Sequence, residues 1–427
     1  MRAAGAMLTA LLSIAAAAPQ PGPHSGREAA GACVRVPAGS DLQRRLDAAP
    51  AGAVFCLEAG DHAGPVHLGP GQTVRGPRQA VIRSTGEGTT VRLEHAGTAL
   101  VGVTVDGSGG RFDLLDSAVR VEADGARVQD VHVRNAVFGI LVEKSRRVEI
   151  LGNRVTGAPG KALGMRGDGI RLWETRASRI EGNRVEDSRD LVVWYSPGNV
   201  IADNVIERGR YGTHFMYSHD NLVRGNRYVG NVVGIFTMYS RGIEVRDNLI
   251  ADSGGAAGVG LGSKESGNLL VAGNRFIANT VGLYLDTSPL SIEEHNSFER
   301  NEFRLCDYAV VFHSSPRRNS FRGNIFRSNA VQVRVDGGGD ALDTEWREND
   351  FDDYAGYDLD GDGYGDLPYQ LRSLSGDLEA RMPALAFFRG SPALAAVEWV
   401  GHVVPIFQPR TLVIDPRPRV GEVADAR

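Results

Sequence analysis

Two thioethers and an imidazole, Met216, Met238 and His214, are the side chains whose types and spacing first suggest chemistry. The methionines lie 22 positions apart and the histidine two positions before the first of them. Thioether and imidazole donors suit a soft, monovalent copper ion, whereas a hard cation needs a cluster of oxygen ligands. Such a cluster exists elsewhere: Asp358, Asp360 and Asp362 with Gly363 spell D-x-D-x-D-G, and Asp366 falls at the ninth position. Alternate oxygen ligands wrap a calcium ion, and the glycine allows the sharp turn. The twelfth position is Tyr369 rather than the bidentate Glu of an EF-hand, so a structural calcium site and a solvated acidic turn both fit.

A chain that coils with a period near 22 brings residues 22 apart side by side. Nine phrases built on an Asn supply it: Asn153, Asn183, Asn204, Asn226, Asn248, Asn274, Asn301, Asn324 and Asn349, separated by 30, 21, 22, 22, 26, 27, 23 and 25 residues. Each Asn is followed by β-branched or aromatic residues, as in LGNRV and AGNRF. A period in the low twenties with such residues marks stacked coils of short strands. The expected fold is all-β, a right-handed parallel β-helix. Asn is expected to take the left-handed conformation of the turns and to bond to the Asn one coil away.

The period also works as a ruler. The coils align on the hydroxyl residue closing each main strand: Ser145, Thr175, Ser196, Ser218, Ser240, Ser266, Ser288 and Ser315. Five and three positions earlier stand mostly apolar residues, such as Ile170 with Leu172 and Leu283 with Leu285, which alternation turns inward. Two before the hydroxyl stand Glu143, Trp173, Trp194, Met216, Met238, Lys264, Asp286 and His313; four before are Leu141, Arg171, Val192, His214, Phe236, Gly262, Tyr284 and Val311. One before, Tyr195, Tyr217 and Tyr239 follow one another. Both columns should face outward, so the central coils carry an unusual outer patch of Trp, Met, Phe, His and Tyr, which marks a binding site. Two readings follow: copper held by His214, Met216 and Met238, or a surface of Trp173, Trp194, Tyr195, Tyr217, Phe236 and Tyr239 that packs under a loop or docks a protein partner.

The ends differ from the middle. Arg2 and the apolar stretch Ala3–Ala18 read as a secretory signal peptide over residues 1–18, cleaved near Ala18, with a Pro/Gly/Ala-rich linker over 19–31; a membrane-anchored helix is the alternative. In an oxidising compartment Cys33 and Cys56 can pair, because CVRV and VFCL read as neighbouring strands; Cys306 is left as a buried small hydrophobe. A short cap helix is expected in SDLQRRLDAA, since an open solenoid end exposes its core. The β-helix should span 32–351, the acidic loop 352–370, and a C-terminal helix with an extended tail 371–427. With a net charge of −5 and no long basic run, nucleic acid is a poor partner.

The phrases RGDGIRLWET, SRDLVVWYS, GRYGTHFMYS and VVGIFTMYSRGIEVRDN, with GYDLDGDGYGDLPY and the SPAL helix further on, resemble the NosD family over almost the whole mature chain. The resemblance implies a periplasmic β-helix protein that serves maturation of nitrous oxide reductase. It further implies copper as transient cargo, an ABC-type membrane transporter as partner together with a copper chaperone and the reductase, and contact with the membrane only through partners. It assigns no copper ligands; His214, Met216 and Met238 rest on the columns. The rival is a polysaccharide lyase, epimerase or carbohydrate-binding β-helix, for which Asp168, Arg171, Asp190 and Arg210 could be recruited. No second carboxylate stands beside Asp168 or Asp190 in the outward columns, and the acids are explained by turns. A non-enzymatic accessory protein is therefore the expectation.

Overall fold

The computed structural model describes residues 33–158, 160–314, 316–374, 378, 382–388, 391–403 and 409–420. The expected signal peptide and linker lie outside the described residues, as do Ser315 and parts of the C-terminal tail.

Most coils contribute one short strand to each of three parallel sheets, which contain 14, 12 and 13 strands. The result is a right-handed parallel β-helix. One sheet runs from Val34–Val36 to Glu345–Arg347, the second from Val66–Leu68 to Val331–Val335, and the third from Gly60–Ala63 to Asp350–Phe351. The second sheet carries the columns of interest. Its inward positions are dry: Ile170, Leu172, Leu191, Val193, Ile235, Leu261 and Leu283 have no solvent exposure.

Opposite them the third sheet sends a stack of rings inward, with centroids 4.8 Å apart for Phe276 and Phe303, 5.1 Å for Phe303 and Phe326, and 4.9 Å for Phe326 and Phe351. Burying each ring contributes about 2–3 kcal/mol. The rings need room, which explains a column of small residues facing them. A Cβ on Gly212 would lie 2.4 Å from the Gly234 carbonyl oxygen and 2.4 Å from the Tyr228 ring.

At one corner the asparagines form a continuous ladder. The Asn204 backbone N–H and its Nδ2 both donate to Asn226 Oδ1 at 2.9 Å, and Asn204 Nδ2 also donates to the Ile180 carbonyl. The same pattern links Asn153 to Asn183 and continues to Asn349. The expectation that Asn itself takes the left-handed turn conformation is corrected. That conformation belongs to the residue before it, as at Gly152 (φ 62°), Asp203 (φ 55°) and Glu348 (φ 60°). Asn is needed for an amide that donates and accepts within a buried corner. The strand-closing hydroxyls form a second ladder, in which Ser196, Ser218 and Ser240 N–H groups donate to Ser218, Ser240 and Ser266 Oγ.

Both ends of the coil stack are closed. Helix Leu42–Asp47 starts at Asp41, whose carboxylate accepts from the Arg44 N–H, and buries Leu42 and Leu46. Cys33 and Cys56 are joined by a disulfide with their Cα atoms 5.9 Å apart, across the first strand pair. Cys306 is buried and free. At the other end Thr411–Asp415 pairs antiparallel with Tyr369–Arg372. Asp415 Oδ2 accepts from the Asn349 N–H at 3.0 Å and from its Nδ2 at 2.9 Å, so a carboxylate ends the asparagine ladder. Helix Pro392–Val403 begins at Ser391, whose hydroxyl accepts from the Leu394 N–H. No helix among the described residues is long and apolar enough to cross a membrane.

Candidate functional site

Strand pairing sets Trp173, Trp194, Met216, Met238, Lys264, Asp286 and His313 side by side on successive coils. It does the same for Arg171, Val192, His214, Phe236, Gly262, Tyr284 and Val311. The outward register is therefore as aligned, but the exposure of the second column is not. Leu141, Val192 and Val311 are fully buried and His214 is only 7% exposed. Leu141 and Val192 lie outside the main core cluster, so they face outward beneath a cover of large neighbours. An outward position on a strand becomes an interior one when Trp, Arg and Tyr side chains close over it.

The depth of His214 begins with an irregularity. Asp190 pairs with Tyr211 and Val192 with His214, so the later strand holds one residue more than its neighbour. A bulge of this kind re-aims the side chains that follow it. Its signature was in the sequence: the Asn183–Asn204 spacing of 21 becomes 22 for Asn204–Asn226, and the extra residue falls between Tyr211 and His214.

His214 Nε2 lies 3.3 Å from Met238 Sδ. Met216 pairs in register with Met238, one strand spacing or ~4.8 Å away along the sheet. Tyr211 stacks on the imidazole at 4.6 Å and Trp194 meets it edge to face at 5.5 Å. His214 Nδ1 is buried and has no hydrogen-bond partner among the described residues. Burial pushes the imidazole down to about 4, against a smaller upward pull from Asp190. The ring is therefore neutral near pH 7 and keeps a lone pair. A neutral imidazole beside a thioether, with a second thioether on the adjacent strand, is a donor set for a soft cation.

The acids near this face meet outside the aligned columns. Arg189 donates to Asp168 Oδ1 at 2.8 Å and lies 3.5 Å from Asp190 Oδ2, so the two carboxylates flank one guanidinium. Arg210 pairs with Asp190, whose Oδ1 also accepts from the Tyr211 N–H at 3.1 Å. Sequence reasoning missed the pairing because Asp168 and Asp190 stand at different offsets on their coils. Burial raises the Asp168 carboxyl above its usual range despite Arg189. Asp190, tied to Arg210, thus also anchors the backbone of Tyr211, whose ring stacks on His214.

Tyr195, Tyr217 and Tyr239 stack along the surface, with centroids 5.4 and 4.9 Å apart. Tyr195 and Tyr217 are 41% and 44% exposed. Trp173 joins them through Tyr195 at 5.1 Å, and the Arg171 guanidinium lies 5.0 Å from the Trp173 ring and 5.3 Å from the Trp194 ring. Trp194 and Phe236 are half-buried and turned to His214, at 5.5 and 6.2 Å. The patch thus divides into a tyrosine strip, exposed at Tyr195 and Tyr217 and half-buried at Tyr239, and a recessed cluster around the imidazole.

In the acidic loop one carboxylate oxygen each from Asp358, Asp360 and Asp362 lies within 4.8 Å of the others, and Asp366 falls outside that group. Asp366 Oδ2 accepts from the Leu359 N–H. Asp358 accepts from three backbone N–H groups, of Gly361, Asp362 and Gly363, and Asp362 pairs with Arg417 at 2.8 Å. Backbone N–H groups of the loop thus bond to its own carboxylates.

A family profile described as periplasmic copper-binding protein (NosD) matches residues 158–356, the stretch that carries the pocket. A probable ABC transporter binding protein NosD of Stutzerimonas stutzeri is 27% identical over 384 residues, covering 82% of this chain and 83% of its own length. Its counterpart in Pseudomonas aeruginosa is 27% identical over 390 residues, covering 82% and 85%. Among solved structures, the catalytic domain of a GH87 α-1,3-glucanase in complex with tetrasaccharides superposes with a TM-score of 0.57 at 13% identity, covering 78% of this chain and 70% of its own; this likeness is one of fold. The chain is thus similar over most of its length to two proteins named NosD, and its central coils match the NosD family profile.

Proposed function

We propose that this protein is a non-enzymatic periplasmic accessory factor that carries copper transiently as Cu(I) at His214, Met216 and Met238, and that it helps supply copper to nitrous oxide reductase in concert with an ABC-type transporter and a copper chaperone. The contact of His214 Nε2 with Met238 Sδ at 3.3 Å carries the reading. Two donors on one ion at the usual ~2.0–2.3 Å would have about this separation or slightly more. Softness of the donors favours the monovalent ion, and the neutral imidazole spares it competition with a proton. The burial of His214 supports transient cargo held away from water; the tyrosine strip beside it, exposed at Tyr195 and Tyr217, supports a docking surface where cargo is exchanged.

A polysaccharide-active enzyme is the second reading, favoured by the proximity of Asp168 and Asp190 to stacked Trp173 and Trp194. Against it, both carboxylates are buried and paired with arginines, Asp168 with Arg189 and Asp190 with Arg210. The test is made in cells that assemble the reductase. With the His214→Ala, Met216→Ala, Met238→Ala triple variant in place of the native protein, the purified reductase should contain clearly less copper; full copper content would reject the role.

A further inference from the structure

Among the aromatic residues of the patch, Trp194 stands apart. It is half-buried, not part of the exposed tyrosine strip. In register it neighbours Met216, and its ring lies 5.5 Å from the His214 ring at an interplanar angle of 87°. Its Nε1 is buried without a hydrogen-bond partner among the described residues, which is uncommon for an indole at this depth. One face of the ring already carries a cation, the Arg171 guanidinium 5.3 Å from its centroid, so a metal ion would have to take the other.

We propose that Trp194 is a fourth element of the copper site, holding the ion through the indole π-face instead of through a coordinate bond. The inference rests on the reading of His214, Met216 and Met238 as ligands. A thioether–imidazole set supplies three donors and leaves one side of a monovalent ion open. Indole offers no ligand lone pair, its only polar group being an N–H donor. What it does offer is the strongest π-quadrupole of any side chain, and the attraction grows where water is excluded. In a pocket where the imidazole is 7% exposed, the ring closes the open side against water and against exchange with competing ligands. Phe236, 6.2 Å from His214 on the next coil, borders the pocket but presents a weaker quadrupole.

The experiment uses the mature protein titrated with Cu(I) under anaerobic conditions against a competing Cu(I) chelator, with the indole absorption recorded at each step. In the wild type, copper should perturb the indole bands. Trp194→Leu should abolish that perturbation and weaken binding about tenfold. Trp194→Phe should restore part of the affinity with no indole signal, and Trp399→Leu, on the C-terminal helix, should leave both unchanged. Should Trp194→Leu not fold, the absence of the indole signal in Trp194→Phe decides the matter. If the signal survives in Trp194→Phe, or Trp194→Leu binds as tightly as wild type while the His214, Met216, Met238 triple variant does not bind, the role of Trp194 is refuted and the ligand assignment stands. If the triple variant also binds normally, both fail.

Discussion

Replacing Asn226 by Ala should unfold the middle of the solenoid more readily than any exposed substitution, and the size of the effect follows from its bonds. Asn226 is 1% exposed. Its Oδ1 accepts from the Asn204 N–H and Nδ2 at 2.9 Å, and its Nδ2 donates to the Ile201 carbonyl at 2.9 Å and to Asn248 Oδ1 at 3.0 Å. Alanine removes the side chain but not the groups it served. The Asn204 N–H and the Ile201 carbonyl are then left in a dry corner, and each orphaned group costs about 1–3 kcal/mol. The expected loss is therefore roughly 4 kcal/mol, a large share of the ~5–15 kcal/mol that keeps a domain folded. Because each coil contacts only its neighbours, the damage should be local. Urea unfolding measures the loss, and amide hydrogen exchange locates it, with faster exchange around Asn204 and Asn248 and native protection in the coil of Val66–Leu68. A loss below about 1 kcal/mol, or uniform acceleration across the chain, would refute the claim that the ladder acts coil by coil.

The metal-free protein should lose stability as pH falls from about 6.5 toward 4, the window between an ordinary histidine and the value near 4 to which burial pushes His214. The unfolded chain binds the proton first, so stability falls by up to ~3 kcal/mol; His214→Gln should flatten that part of the urea-midpoint curve, and an unchanged slope would contradict the depth assigned to the ring. Asp415→Ala should cost about 2 kcal/mol, because the Asn349 N–H loses a charged acceptor, whereas Asp415→Asn, which extends the ladder in kind, should stay near wild type in thermal unfolding. Equal losses in the two variants would exclude this capping role.

Much of this molecule was legible in the sequence because a solenoid converts spacing directly into adjacency. The Asn period placed Met216 beside Met238 and His214 beside Phe236 without any knowledge of side-chain packing. What the period does not encode is how neighbouring side chains fill the space above a strand. Hence His214, aligned correctly, was read as lying on an open face when Trp194 and Tyr211 close over it. The turn chemistry was also misassigned, since the propensity of Asn for left-handed conformations is real but is exercised here by the residue before it. The Asp168–Arg189–Asp190 contact depends on long side chains crossing between coils at unequal offsets, and the Asp415 cap on a strand returning from 66 residues beyond Asn349; neither leaves a periodic trace.

The central claim is that His214, Met216 and Met238 form one soft-metal site. Anaerobic Cu(I) titration of the mature protein against a calibrated chelator tests it most directly, with the single Ala variants and the triple variant measured alongside. One tightly held Cu(I) per chain, weakened in each single variant and lost in the triple, is the expected result. A wild type that takes up no Cu(I), or a triple variant that binds it equally well, would contradict the account.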